Sequence, residues 1–144
     1  MNMTNVRSGF AIVALIAAMA TLPALADTVK FKADLSSANE VPPNSSGAKG
    51  TLDATFDTAT KQLTYNVTYS GLTGPATAAH FHGPAAAGVN AGVAIPVQGS
   101  VASPIKGSAT LTDAQAADLQ AGKYYFNVHT DANKSGELRG QVVK

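Results

Sequence analysis

Cysteine and tryptophan are absent from the 144-residue chain, and charged residues make up only 13% of it. Without cysteine no disulfide can form and no thiolate is available as a metal ligand, so packing alone must stabilise the core. The 10 lysine and arginine residues balance 9 aspartate and glutamate residues, without a basic cluster. Because nucleic acids are bound by concentrated positive charge, we expect no nucleic-acid partner.

The longest apolar segment lies near the N-terminus. A short segment whose only charge is Arg7 precedes residues 11–22, which are uncharged, and residues 24–26 read Ala-Leu-Ala. This is the pattern of a signal peptide with an A-x-A cleavage site, and the apolar run is shorter than the ~20 residues of a membrane span. We predict a secretory signal peptide over 1–26 and one domain over 27–144, periplasmic or secreted and without a membrane anchor after cleavage.

The predicted mature chain differs from the whole in its ligand chemistry. All three methionines, Met1, Met3 and Met19, fall within the leader, and removal of Arg7 leaves equal numbers of basic and acidic residues. A metal bound to residues 27–144 must therefore be held by histidine, carboxylate or backbone groups.

Alternation of apolar and polar residues dominates the predicted mature chain. Val29, Phe31, Ala33 and Leu35, for example, alternate with polar neighbours, which is typical of half-buried strands. The pattern predicts strands over residues 29–35, 52–56, 63–70, 76–82, 92–98, 106–111, 123–130 and 137–143. We therefore predict an all-β fold, an antiparallel Ig-like or Greek-key β-sandwich of seven to eight strands with one short helix.

Local signals indicate the helix and the turns. Thr112 and Gln115 form a capping box before residues 113–121, and Gly122 is placed to end that helix. Residues 57–60 suit a hairpin turn. Residues 83–92 form a Gly- and Ala-rich loop that lacks the spacing of a phosphate-binding loop.

The three histidines fall in two predicted strands. His80 and His82 are two residues apart and share one face, and His129 shares a face with Tyr125 and Asn127. In both strands the large apolar residues take the opposite face. If the strands are neighbours, the three imidazoles form a cluster.

Three neutral imidazoles suit Cu(II) or Zn(II), with water or a carboxylate in a fourth position. We expect copper, with zinc as the alternative; the nearest carboxylates in sequence are Asp131 and Glu137. Possible surrounding groups are Tyr125, Asn127, Glu137 and Arg139. Glu137 and Arg139 share a strand face, so they either form an ion pair that sets strand register, or Arg139 lies beside the histidines and steers an anion.

At these residues the chain resembles the CHRD, or chordin-type, domain family. The similarity lies in residues 39–43 (Asn-Glu-Val-Pro-Pro), 78–85 (Ala-Ala-His-Phe-His-Gly-Pro-Ala), 127–130 (Asn-Val-His-Thr) and 136–141 (Gly-Glu-Leu-Arg-Gly-Gln). The resemblance implies an extracytoplasmic β domain and includes all three histidines, but it implies no particular activity. In the animal protein chordin the domain occurs in a growth-factor-binding context.

The histidine pattern is also similar to copper–zinc superoxide dismutase, in which an H-x-H strand pair, a later histidine and a C-terminal arginine serve a copper site. His80, His82, His129 and Arg139 would take those parts. The resemblance is incomplete, because the chain has no disulfide and too few histidines for a copper–zinc pair.

Three hypotheses follow from the sequence. The first is an exported, non-enzymatic module that binds copper through His80, His82 and His129. The second is a copper-dependent redox enzyme of the dismutase type. The third is an extracellular adhesion or protein-binding module whose histidines only hydrogen-bond loops; imidazoles more than ~8 Å apart, too far to share one ion, would favour it.

Overall fold

The computed structural model describes residues 27–144, which fold into eight strands and one α-helix. The predicted signal peptide, 1–26, lies outside the described residues. The strands are β1 (Thr28–Ser36), β2 (Lys49–Asp57), β3 (Gln62–Ser70), β4 (Ala76–His82), β5 (Val93–Pro96), β6 (Ile105–Thr110), β7 (Tyr124–Thr130) and β8 (Leu138–Val142), and α1 (Asp113–Gln120) lies between β6 and β7. The predicted all-β class is confirmed. Within 27–144, no helix is long and apolar enough to cross a membrane.

All eight strands form one antiparallel sheet in the order β5-β4-β7-β8-β1-β2-β3-β6. The four strands on each side of the β8–β1 junction form two halves. At that junction Ser36 is paired with Arg139, and an isolated bridge joins Lys32 to Val143. The halves are thus joined along a short seam.

The two halves pack face to face. Tyr65 of β3 and Phe81 of β4 are in edge-to-face contact, with ring centroids 5.1 Å apart, although their strands are far apart in the sheet. The single sheet therefore folds over at the β8–β1 seam, and its two halves form a β-sandwich, as predicted.

Local sequence explains most boundaries. The Asp57 carboxylate accepts hydrogen bonds from the backbone N–H groups of Ala59 and Thr60, which closes the predicted hairpin turn between β2 and β3. Thr112 and Gln115 form the predicted capping box at the start of α1. β5 is shorter than predicted and ends at Pro96 on an edge of the sheet, because proline cannot donate to a ladder.

The outer face of β7 is buried as well as its inner face. Phe126 and Val128 are fully buried between the two halves, while Tyr125 and Asn127 on the other face are only 3% and 2% exposed. The 83–92 loop covers this outer face and is tied to the segment after β1 by a bond from Asn90 Nδ2 to the Val41 carbonyl. Alternation predicted that only one face of β7 is buried. Because the 83–92 loop covers the other face, both faces are buried.

Candidate metal centre

The histidines meet on this covered outer face. β4 and β7 are neighbouring antiparallel strands, with His80 paired to Asn127 and His82 to Tyr125. Since residues of one parity share a face, His129 joins them from two positions further along β7. One ring nitrogen from each of His80, His82 and His129 lies within 4.8 Å of the others. The structure therefore brings the three predicted ligands together.

The distances suit one ion. His80 Nδ1 and His129 Nε2 are 3.1 Å apart. Two nitrogens bonded to the same ion at about 2 Å lie roughly 3–4 Å from each other. The His82 ring is 5.5 Å from His80 and 6.3 Å from His129 between centroids, so the three rings form one cluster.

Backbone carbonyls fix the tautomers of two imidazoles. His129 Nδ1 lies 2.8 Å from the Lys134 carbonyl oxygen, and His82 Nδ1 lies 2.9 Å from that of Ala91. A carbonyl only accepts, so both Nδ1 atoms carry a proton. In the neutral rings the lone pair is then on Nε2, which is the arrangement usual for metal-ligating histidines.

The environment lowers the pKa values of His80 and His129, which favours their neutral form. Burial lowers the pKa of His80, and the nearby charges of His129 and His82 lower it further. Burial also lowers the pKa of His129; the bond to the Lys134 carbonyl opposes this shift, while His82 adds to it. A histidine binds a metal in its neutral form, so these lowered pKa values favour metal binding at neutral pH.

Tyr125 supports the cluster from one side. Its ring stacks on the His82 ring with a centroid distance of 4.8 Å and an angle of 3°. Its hydroxyl donates to the Ala91 carbonyl, the same oxygen that His82 bonds, and accepts from the Ala91 N–H. Tyr125 therefore fixes both the plane and the backbone partner of His82.

Arg139 anchors the 83–92 loop. The side chain is only 2% exposed; it donates to Asn90 Oδ1 at 2.7 Å and to the Val89 carbonyl at 2.6 Å, and its guanidinium lies 3.5 Å from the centre of the Tyr125 ring. A guanidinium held in this way is not presented to an incoming anion. In the structure the guanidinium holds this loop against β8.

Glu137 lies apart from the histidines, within a set of hydroxyl and amide donors. Its Oε1 accepts from Ser46 Oγ and Thr73 N, and its Oε2 accepts from Thr73 Oγ1, Thr130 Oγ1 and Asn133 Nδ2. Burial raises its pKa, but these bonds outweigh burial and lower it to about 2. Among the described ion pairs none joins Glu137 to Arg139. Glu137 therefore joins three loops.

Glu40 is the residue that the sequence did not single out for chemistry. It is only 5% exposed, and its Oε1 has no hydrogen-bond partner. Burial raises its pKa to about 7, while the positive charge of Arg139 and the amide of Asn127 act in the opposite direction. The one sequence signal was its place in the motif 39–43, because nothing in local periodicity places it beside Asn127.

The comparisons with known proteins agree with the sequence resemblance. A family model for the CHRD domain matches residues 31–142, from within β1 to the end of β8, and so includes all three histidines. No curated protein and no solved structure gives a significant match.

Proposed function

Because the chain belongs to the CHRD domain family, we propose that it is an exported, extracytoplasmic module that binds one transition-metal ion through His80, His82 and His129. The observation that carries this proposal is the convergence of three imidazole nitrogens on one face of two adjacent strands. Copper is the preferred ion, and zinc is the alternative.

The cluster is difficult to explain as a purely structural device. The hypothesis of histidines that only hydrogen-bond loops accounts for the bonds to the carbonyls of Ala91 and Lys134. It also allows His80 Nδ1 to donate to the His129 Nε2 lone pair at 3.1 Å, but it gives no reason for three imidazoles to meet on one face. A separation of more than ~8 Å would have favoured it, whereas the ring nitrogens lie within 4.8 Å of one another. A shared ion explains both the carbonyl bonds and the mutual approach.

Ligand type supports copper. The donors are imidazoles, the described metal-ligand group contains no carboxylate, and the chain has no cysteine. Nitrogen-rich sites of this kind bind Cu(II) more tightly than Zn(II) at equal availability. Copper is therefore expected to displace zinc in direct competition.

Binding is favoured over redox turnover. The dismutase hypothesis needs a cation that guides superoxide to the metal, and Arg139 is engaged by Asn90 and Val89 under the loop. Superoxide removal by the copper-loaded protein is therefore expected to be no faster than in buffer alone. Faster removal would favour the enzyme hypothesis.

Metal content measured on protein purified from its native compartment tests the proposal. We expect one ion per chain, and a calorimetric titration of metal-free protein should show one site. His80→Ala combined with His129→Ala should abolish that site, whereas Thr77→Ala, on an exposed position of β4, should leave it unchanged. Unchanged affinity in the double histidine variant would contradict the proposal and favour a protein-binding module without metal.

A further inference from the structure

The side chain of Asn127 lies at the centre of the histidine cluster. Asn127 is the direct cross-strand partner of His80, and His129 follows it by two positions on the same face of β7. Its Oδ1 atom lies 3.0 Å from His82 Nε2. Asn127 thus adjoins all three imidazoles.

The contact between Asn127 and His82 joins two atoms that carry lone pairs when His82 is neutral. The bond from His82 Nδ1 to the Ala91 carbonyl places the proton on Nδ1, so the neutral ring has a lone pair on Nε2. Asn127 Oδ1 is likewise an acceptor. Their separation of 3.0 Å matches that of His80 Nδ1 and His129 Nε2 and is the distance expected between two donor atoms bonded to one ion.

Glu40 determines which end of the Asn127 amide faces the histidines. A side chain at Gly136 would collide with both Glu40 Oε1 and Asn127 Nδ2, so both atoms face Gly136, and the Asn127 amide acts on the Glu40 carboxyl. A carboxyl oxygen that accepts hydrogen bonds attracts the amide NH₂ and repels the lone pairs of the amide oxygen. Glu40 therefore turns Oδ1 of Asn127 toward His82.

We propose that Asn127 Oδ1 is a fourth ligand of the metal ion, and that Glu40 is the positioning residue that aims this oxygen. This inference rests on the proposed function. It replaces the water or carboxylate expected in the fourth position, since Asp131 is exposed and Glu137 is bonded to hydroxyl and amide donors elsewhere.

The burial of Glu40 fits a positioning role. Native proteins leave few buried polar atoms without a partner, and each exception calls for a reason. Glu40 Oε1 is such an atom, next to the seam between β8 and the segment after β1. A carboxylate that orients an amide ligand electrostatically provides the reason.

Four variants of the full chain test the inference with Cu(II) as the probe: Asn127→Ala, Asn127→Asp, Glu40→Gln, and Glu40→Gln combined with Asn127→Asp. Affinity is measured by chelator competition, and the ligand set by electron paramagnetic resonance of the bound Cu(II). We expect Asn127→Ala to weaken binding about 10–100-fold and to change the copper spectrum. Asn127→Asp, which keeps an oxygen donor, should bind at least as tightly as the wild type.

The coupling between residues 40 and 127 separates a positioning role from a structural one. Glu40→Gln should weaken binding roughly tenfold in the wild-type background. It should have no such effect in the Asn127→Asp background, because the two oxygens of the introduced carboxylate are equivalent and need no orientation. Equal weakening by Glu40→Gln in both backgrounds would overturn the inference, and this comparison stands even if Asn127→Ala fails to fold.

The outcomes also distinguish this inference from the proposed function. If the wild type binds one Cu(II) and Asn127→Ala, folded by circular dichroism, keeps the same affinity and spectrum, the fourth ligand is overturned and the three-histidine site stands. If the wild type binds no metal, both are overturned.

Discussion

His80 Nδ1 and His129 Nε2 lie 3.1 Å apart on adjacent strands, although the two residues are 49 positions apart in the sequence. The pairing register of β4 and β7 sets this distance, so the two nitrogens are close before any ion arrives. Such preorganisation reduces the cost of assembling a site.

Metal affinity should therefore depend on pH through these imidazoles. The pKa values of His80 and His129 lie below the ordinary value of 6.5, so both rings are neutral at pH 7. Affinity for Cu(II) should be nearly constant between pH 7 and 8. It should fall only once the pH passes beneath the lowered pKa values, which lie under 6.5, and should then approach a tenfold loss per pH unit for each ring that must lose a proton. Competition titrations from pH 5 to 8 measure this, and a flat profile would contradict the histidine site.

The free energy of unfolding of the metal-free protein should also depend on pH through His80 and His129. Because their pKa values are lower in the folded state, the unfolded chain binds more protons as the pH drops below 6.5, and the free energy of unfolding decreases there. Replacement of both His80 and His129 by glutamine should flatten this part of the stability profile, measured by urea unfolding.

Arg139→Lys should release the 83–92 loop. A lysine cannot donate in the two directions that reach Asn90 and Val89, and it loses the planar contact with Tyr125. We expect the free energy of unfolding to fall by about 2–4 kcal/mol and amide hydrogen exchange to speed up in residues 85–91. Lys30→Ala, at an exposed position of β1, is the control and should change stability by less than ~0.5 kcal/mol. Unaltered exchange in the loop would rule out the anchoring role.

Glu137→Gln should destabilise the fold at neutral pH by about 2–4 kcal/mol, because an amide NH₂ then faces donors that the carboxylate satisfied. The pKa of Glu137 is about 2 in the folded protein, against 4.5 for a free glutamate. Its contribution is therefore complete above pH 4.5 and is lost as the pH falls toward 2. The difference between wild type and variant in denaturant unfolding should shrink from pH 6 to pH 3, while Asp34→Asn, exposed on β1, should show little difference at either pH. A difference that stays constant with pH would show that the charge is not what stabilises the loops.

Glu40→Gln should have the opposite effect on stability. Burial raises the pKa of Glu40 to about 7, so the stability that its protonated form provides is present below pH 4.5 and is lost as the pH rises to 7. The metal-free variant should thus be as stable as the wild type at pH 8, or more stable by on the order of 1–3 kcal/mol. A less stable variant at pH 8 would identify Glu40 as a structural anchor rather than a positioning residue.

Local patterns predicted much of the fold. Alternation located all eight strands, and the capping box of Thr112 and Gln115 located α1 to within one residue at its C-terminal end. The strand order and the short seam between the halves were not predictable, because they depend on pairings between distant segments. Burial of the outer face of β7 was missed for the same reason: the 83–92 loop that covers it is not part of any periodic pattern.

The residues of the candidate site that lie on strands could be predicted from the sequence. The contacts that loops make with them could not. His80, His82 and His129 were identified because residue parity places them on one face. The contacts of Arg139 with the loop, and the carboxyl of Glu40 beside Asn127, arise from chain segments that only the folded sheet brings together. For Glu40, only the family motif at residues 39–43 drew attention to the position.

The unequal exposure of the three histidines has a kinetic consequence. His82 is buried beneath the 83–92 loop, whereas His80 and His129 are half-buried. An ion held by the proposed site would therefore enter and leave on the side of His80 and His129, where an incoming chelator could replace these two bonds one at a time. Exchange would then depend on the concentration of the chelator as well as on the affinity of the site.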